Sequence, residues 1–423
     1  MTAARARMPA GFGALVAAQF ASSLADNALL IVTMALLHQR GLPAWWAPLL
    51  KLGFTLSYVV FAPVLGPLAD AVPKARLMLW MTGVKVAGVA GMVAGLDPIV
   101  AFCVVGVGAS AYAPAKYGLV TEIVGERQLV AANGWLEVSV VVAVLLGTAL
   151  GGALASPDWL EVAGTALPAA LAALPTGGLT ASFAVLLAVY LASALLTWPV
   201  PDSGSRYAAR SLRPLALWAD FLSANATLWR DADGGLSLAA TTIFWGAGAT
   251  LQFVVLRWAT HALHMPLYHA AYLQATVAIG VVAGAAVAGR WVALAQAKRM
   301  LGCGIALGLM LPALASVRSL ALAIPLLLAA GALGGLMVVP LNALLQQRGC
   351  VLLSAGRSIA VQGFNENAGI LVMLALYAGA IASGLSIQAV MWGLGGLIAV
   401  SIGLLMSYRQ VKSRALAATS SAA

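Results

Sequence analysis

Apolar runs of roughly 20 residues recur from Gly11 to Met406, separated by short polar or turn-forming breaks. A helix needs about that length to cross the hydrocarbon core, where the backbone must satisfy its own hydrogen bonds. The pattern predicts twelve transmembrane helices, at roughly 11–38, 46–69, 76–95, 98–118, 128–154, 179–199, 236–260, 268–290, 299–317, 320–344, 356–382 and 386–408. The Ala-, Pro- and Gly-rich stretch 155–178 reads as an external loop with a short surface helix, the alternative being an extra half-span. One extended polar stretch, Pro199 to Gly235, divides the spans into two sets of six. The expected organisation is an N-terminal six-helix half over 1–200, a cytoplasmic linker over 201–235 and a C-terminal half over 236–423.

Composition agrees with a membrane solvent. The 423 residues are 62% hydrophobic and 9% charged, against about 25% charged in soluble domains. With twelve spans and both termini cytoplasmic, 18 of the 23 Lys and Arg fall on the cytoplasmic side. They include Arg5, Arg7, Lys74, Arg76, Arg206, Arg210, Arg348 and Arg409; the other five are Arg40, Lys51, Lys85, Arg257 and Arg318. That bias is the positive-inside rule, and a one-span error would scramble it in the second half. The net charge of +10 is then matched by anionic membrane lipids and calls for no nucleic acid. The apolar run after Arg7 is too long for a cleaved signal and reads as the first span. Cys103, Cys303 and Cys350 lack metal-ligand spacing and read as packing residues.

Internal similarity supports the division. Span five opens with Asn133-Gly134-Trp135-Leu136-Glu137 and span eleven with Gln362-Gly363-Phe364-Asn365-Glu366, 229 residues apart, while Pro114 and Pro340 stand 226 apart. Duplicated six-helix halves resemble the major facilitator architecture, with a substrate path between the halves. The loop Gly66-Pro67-Leu68-Ala69-Asp70-Ala71-Val72-Pro73-Lys74-Ala75-Arg76 resembles that superfamily's loop motif. Gly66, Asp70, Lys74 and Arg76 are accordingly expected to gate: Asp70 caps or pairs across the halves as a latch that breaks when they rock. A charged turn obeying the positive-inside rule is the plainer alternative. Ala71 and Pro73 depart from the usual motif.

Ionisable groups inside spans are costly and usually face a water-filled path or a partner. Asp26, Lys85, Glu137 and Glu366 are such groups. Asp26-Asn27 sits mid-span and is the leading candidate for a substrate cation or proton, against a structural pair with a neighbouring helix. Glu137 and Asn365-Glu366 lie nearer the cytoplasmic ends, where capping or latching is equally open. Lys85 is expected to snorkel or pair structurally. Lys116, between Pro114 and Tyr117, is expected at a helix end opened by Pro114, serving either a phosphate or the positive-inside bias; Arg257 is open in the same way. His261, His264 and His269 cluster without a carboxylate, so no metal or other cofactor is expected. An enzyme is not expected: no His has an Asp four residues on, and there is no Gly-x-Ser-x-Gly elbow or Walker-type loop.

Several stretches are similar to the bacterial lysophospholipid transporter family, a branch of the major facilitator superfamily. They are Ala18-Gln19-Phe20 with Asp26-Asn27-Ala28-Leu29-Leu30, Tyr112-Ala113-Pro114-Ala115-Lys116-Tyr117-Gly118, Ala132-Asn133-Gly134, Phe244-Trp245-Gly246-Ala247-Gly248 and Val339-Pro340-Leu341-Asn342-Ala343-Leu344-Leu345-Gln346. The resemblance implies a flippase moving lysophosphatidylethanolamine, and lysophosphatidylglycerol, from the outer to the inner leaflet of the cytoplasmic membrane, where an acyltransferase restores the missing chain. Asp26 would take the ethanolamine ammonium, and Lys116 or Arg257 the phosphate. Relatives carry an Arg in span seven where this chain has Gln252. Arg257 follows five residues later, which turns a helix by about 140° and raises it by about 7.5 Å, so it does not replace that Arg. The rival within the same fold is a proton-coupled exporter of drugs or other small molecules.

Overall fold

The computed structural model describes residues 8–43, 46–166, 168, 173–207, 213–265 and 267–421. Arg5, Arg7 and Arg210, part of the basic bias, lie outside the described residues. Among the described residues there are fifteen α-helices and no strand. Eleven helices are long and apolar enough to span a membrane, or twelve when the bent pair at residues 49–71 counts as one span.

The first six expected spans are α1 (Phe12–Gln39), the bent pair α2 (Trp46–Val60) and α3 (Ala62–Ala71), α4 (Lys74–Val93), α5 (Pro98–Ile123), α6 (Glu126–Leu154) and α8 (Thr180–Thr197). Between α6 and α8 lies the short surface helix α7 (Pro157–Ala166). The bend between α2 and α3 is 63° and follows from Pro63, which has no N–H to continue the ladder. Asp97 caps α5 by accepting from Ile99 N at 3.0 Å and Val100 N at 3.2 Å, with Pro98 in the first turn.

Two features depart from the expectation. The linker is not wholly irregular: it contains a 17-residue helix, α9 (Pro214–Arg230). Nor does Pro114 open a helix end. It lies inside α5, which continues to Ile123 and leaves Lys116 buried. Pro340 likewise sits inside a continuous helix. In lipid-embedded helices neighbouring groups re-satisfy the backbone that a proline frees, so proline is a weaker stop signal there than in water.

The remaining spans are α10 (Ala232–Ala262), α11 (Leu267–Trp291), α12 (Leu301–Ala315), α13 (Leu320–Leu352), α14 (Ala355–Ala382) and α15 (Ile387–Ser421). Contacts divide the chain into two compact units. Unit one comprises the chain up to Gly125, Ser139–Ala224 and Gly349–Phe364; unit two comprises Glu126–Val138, Asn225–Arg348 and the chain from Asn365. Each unit therefore includes the first turns of a helix, α14 or α6, whose remainder belongs to the other.

In unit one the apolar core joins α1, α4, α5 and α8 through Leu29, Val32, Val89, Met92, Phe102, Val105, Phe183 and Leu186. In unit two it joins α10, α12, α13 and α15 through Val254, Trp258, Leu311, Leu327, Met391 and Ile398. Hydrophobicity does not distinguish a neighbouring helix from lipid, so close approach of small residues must contribute. Gly280 and Gly284 of α11 face Gly331 and Gly335 of α13, and a Cβ on any of the four would overlap the backbone of the opposite helix.

Candidate functional site

Unit one brings several of the expected site residues to one small polar cavity within the apolar helices. About 50 Å³ in volume, it is lined by Ser22, Ser23, Asp26, Tyr58, Lys85, Ala109, Tyr112, Ala113 and Lys116. Asp26 projects from α1 and receives Lys85 Nζ of α4 at 2.7 Å and 3.0 Å, and the Tyr190 hydroxyl of α8 at 2.7 Å. Lys85, only 1% exposed, also donates to Ser22 Oγ at 2.9 Å and stands over the Tyr112 ring at 5.2 Å. Lys85 thus pairs structurally rather than snorkelling. Removing one partner of such a buried pair leaves the other charge uncompensated, at a cost of about 3–5 kcal/mol.

One turn away, Lys116 Nζ donates to Gln19 Oε1 at 3.3 Å and lies 4.1 Å from the Tyr117 ring centroid. The Gln19 amide donates in turn to Ser139 Oγ at 3.0 Å. Asn27 turns back to the Ser23 carbonyl at 2.8 Å. The cavity wall therefore carries two ammonium groups and one carboxylate, a net single positive charge, with the hydroxyls of Ser22, Ser23, Tyr58 and Tyr112 close by. Such a wall is suited to a group bearing phosphate, with Asp26 able to receive an ammonium if Lys85 yields.

A second constellation in unit one surrounds the Gly66–Arg76 loop. Asp70 accepts from Gly356 N at 2.8 Å and Ser354 Oγ at 2.5 Å, so it caps the start of α14. A Cβ on Gly66 would stand 2.9 Å from Arg357 Cα, which is why glycine occupies that position of α3. Lys74 pairs with Glu122 of α5 at 2.6 Å, not with Asp70. Arg76 is exposed. Glu122 also accepts from Ser203 at 2.5 Å and the Tyr207 hydroxyl at 2.9 Å, tying the linker's first residues to the same spot. Burial, and then the Glu122 carboxylate, raise the Tyr207 phenol above its ordinary range. Arg357 pairs with Asp220 of α9 at 2.9 Å.

The other expected residues lie in unit two. Glu137 is buried in the first half of α6. Asn133, one turn earlier, exchanges paired amide hydrogen bonds with Gln346 of α13 at 2.8 Å and 2.9 Å. Asn365 donates to Asn225 at 2.8 Å and accepts from the Trp229 indole at 3.1 Å; Glu366 is half-buried. Gln252 and Arg257 are both exposed, and the Gln252 carbonyl accepts from the Gln274 amide. Asp231 caps α10 through Gly234 N at 2.7 Å and is gripped by Arg348 at 2.6 Å and 3.1 Å. The Arg348 guanidinium holds the Asp231 carboxyl below its ordinary value.

Sequence reasoning missed Tyr190, Glu122, Gln346 as an amide partner, and Asp231 with Arg348. Tyr190 and Glu122 were visible as polar groups within or at the ends of apolar runs, but nothing local told which helix each would meet.

The chain matches the Major Facilitator Superfamily over residues 11–349. It is 40% identical over 378 residues to the lysophospholipid transporter LplT of Yersinia pestis (strain Pestoides F), covering 89% of this chain and 88% of that relative. The LplT of Yersinia pseudotuberculosis serotype I (strain IP32953) matches at the same identity and coverage. Among solved structures, the E. coli fucose:proton symporter FucP superposes with a TM-score of 0.72 at 15% identity, over 94% of this chain and 98% of that one. The human organic anion transporter TETRAN superposes with a TM-score of 0.69 at 15% identity, over 93% and 98%. These two likenesses establish the fold, whereas the identity to the Yersinia proteins, carried along nearly the whole length, places the chain in the lysophospholipid transporter family of the major facilitator superfamily.

Proposed function

We propose that the protein moves lysophosphatidylethanolamine, and lysophosphatidylglycerol, from the outer to the inner leaflet of the bacterial cytoplasmic membrane by alternating access, so that an acyltransferase can restore the missing chain. The observation that carries this reading is the Asp26–Lys85 pair beside Lys116 on one polar cavity. A zwitterionic headgroup complements such a pair. Its ammonium exchanges with Lys85 on Asp26, and its phosphate takes Lys85 and Lys116, supplying the charge that Gln252 lacks. The net positive wall also suits an anionic glycerol headgroup. Asn27, Tyr117, Glu137, Asn365, Glu366, Gln252 and Arg257 complete the proposed path. Gly66, Asp70, Lys74 and Arg76 form the proposed gate, in which Asp70 releases α14 when the halves rock.

A flipping assay in proteoliposomes with labelled lysolipids tests the reading. Asp26→Asn leaves Lys85 unpaired, which weakens the protein for both lipids. It also removes one desolvated charge-assisted contact to the ammonium, about 1.5–3 kcal/mol, so lysophosphatidylethanolamine transport should fall roughly tenfold or more beyond that of the anionic lipid. Lys116→Ala should lower both. Equal loss for both lipids in Asp26→Asn with normal expression would instead point to a structural role in the Lys85 pair or to a proton role, the latter as in the proton-coupled exporter. The orientation rests on the basic bias: a reporter after Ser203 should read cytoplasmic and one near Trp159 periplasmic, and the reverse at Ser203 defeats the twelve-span topology.

A further inference from the structure

Helix α9 presents two apolar faces, and among the described residues only one of them is covered by protein. Leu217, Phe221, Ala224 and Leu228 are buried, at the i, i+4, i+7, i+11 spacing of a single stripe. Phe221 meets the Phe364 ring edge-on at 5.1 Å, and Asp220 beside it pairs with Arg357. A second stripe consists of Leu215, Trp218, Leu222 and Trp229, which are 87%, 44%, 58% and 42% exposed. At about 100° per residue this stripe is centred roughly 120° from the buried one. The remaining arc carries Ala216, Ser223, Thr227 and Arg230, all exposed. The helix therefore has three flanks: one on protein, one apolar and uncovered, and one polar.

Its position says what covers the second flank. Asp231 alone separates the end of α9 from Ala232, the first residue of the spanning helix α10. The C-terminal end of α9 is thus fixed where a span begins, at the membrane boundary. Seventeen residues rise only about 25 Å, and with Asp220 and Asn225 inside it the helix is too polar to cross the hydrocarbon. Trp at the edge of an apolar stripe and Arg at both ends are the side chains that lie at headgroup level.

We infer that α9 lies along the membrane surface, with Leu215, Trp218 and Leu222 immersed at the boundary between headgroups and acyl chains and Ser223 and Thr227 turned to water. The occupant of the open flank is lipid. Because Asp220 and Phe221 bind Arg357 and Phe364, this seat also holds the first turns of α14, the segment that Asp70 caps. The inference is independent of which lipid the protein transports.

The test replaces Cys103, Cys303 and Cys350 with Ala and introduces a nitroxide in the full chain at one position at a time. Leu215→Cys, Trp218→Cys and Leu222→Cys sample the apolar flank, and Ala216→Cys, Ser223→Cys and Thr227→Cys the polar one. In phosphatidylethanolamine–phosphatidylglycerol vesicles, collision with oxygen relative to a water-soluble nickel chelate should be severalfold higher at the first three positions than at the second three. Equal, water-like accessibility at all six overturns the inference. So does protection of the first three from both reagents, which would mean that another protein surface covers them.

Discussion

The first turns of α14 and the first turns of α6 carry matching sequence, Gln362-Gly363 against Asn133-Gly134, and each is packed in the unit that does not hold the rest of its helix. They are fastened by different chemistry. In unit one the start of α14 is held by charge: Asp70 takes the Gly356 amide and the Ser354 hydroxyl, and Asp220 takes Arg357. In unit two the buried fastening of α6 is a neutral amide pair, in which Asn133 and Gln346 satisfy one another; at the exposed start of the helix Gln347 also donates to the Glu126 carboxylate at 2.8 Å. A carboxylate capping a helix start gains from both hydrogen bonding and the helix dipole, and it loses both together when the helix withdraws. A buried amide pair is directional but uncharged, so each partner left alone costs only the desolvation of one polar group. The two matching helix starts thus differ, one with a charge-dependent buried fastening and one with a neutral one.

The largest expected effect comes from removing the charge. Asp70→Ala deletes the acceptor of two hydrogen bonds, each worth about 1.5–3 kcal/mol to a charged group. Lysolipid transport should fall at least tenfold with membrane insertion unchanged, and amide exchange should rise over residues 354–360. Unchanged exchange there would mean that Asp70 does not hold α14.

The neutral fastening should respond differently. Gln346→Leu leaves the Asn133 amide buried without its partner, at about 1–3 kcal/mol, whereas Asn133→Leu with Gln346→Leu replaces both by apolar groups and should regain much of that stability. Thermal denaturation in detergent, read as a double-mutant cycle, measures the coupling. Additive losses would show that the pair does not act as a unit. Arg357→Gln should do less, since the Asp220 pair is only partly buried and such pairs are worth about 1 kcal/mol or less. The expected signature is a small rise in exchange at the start of α14 without the loss of transport seen for Asp70→Ala.

Much of this comparison was legible in the sequence. The repeated pentapeptides and the Gly66-to-Asp70 spacing marked the two helix starts and the cap, because the first is a pattern of residue type and the second a local spacing. The spans followed from run length, and their cores from apolar content. The partners were not legible. In a chain where nearly every helix is apolar all round, periodicity does not say which face meets which neighbour, so Lys85 on Asp26 and Gln346 on Asn133 emerge only from tertiary packing. Helix α9 was hidden for a related reason: its polar flank and the charged residues around it read as linker, and Asp220, Ser223, Asn225 and Thr227 break its interleaved apolar stripes before they form a continuous run.

The smallest effect expected concerns pH, and it separates this charge chemistry from any proton step in transport. Asp231, at the start of α10, is held by the Arg348 fork and the Gly234 amide, and the Arg348 guanidinium holds its pKa below the usual carboxylate value. A carboxyl whose folded value lies below its unfolded value contributes stability that is fully present above the unfolded value and is lost as pH falls through the folded one. The contribution of this pair is therefore constant from pH 5 to pH 8 and declines only in acid below about 4. Asp231→Asn should lower thermal stability by the same amount at pH 5.5 and pH 7.5, a parallel shift of the two melting curves. A loss confined to the higher pH would mean that Asp231 is protonated at 5.5 and that Arg348 does not hold it. If transport by the native protein nevertheless varies over that interval, the titrating group must lie elsewhere than this pair.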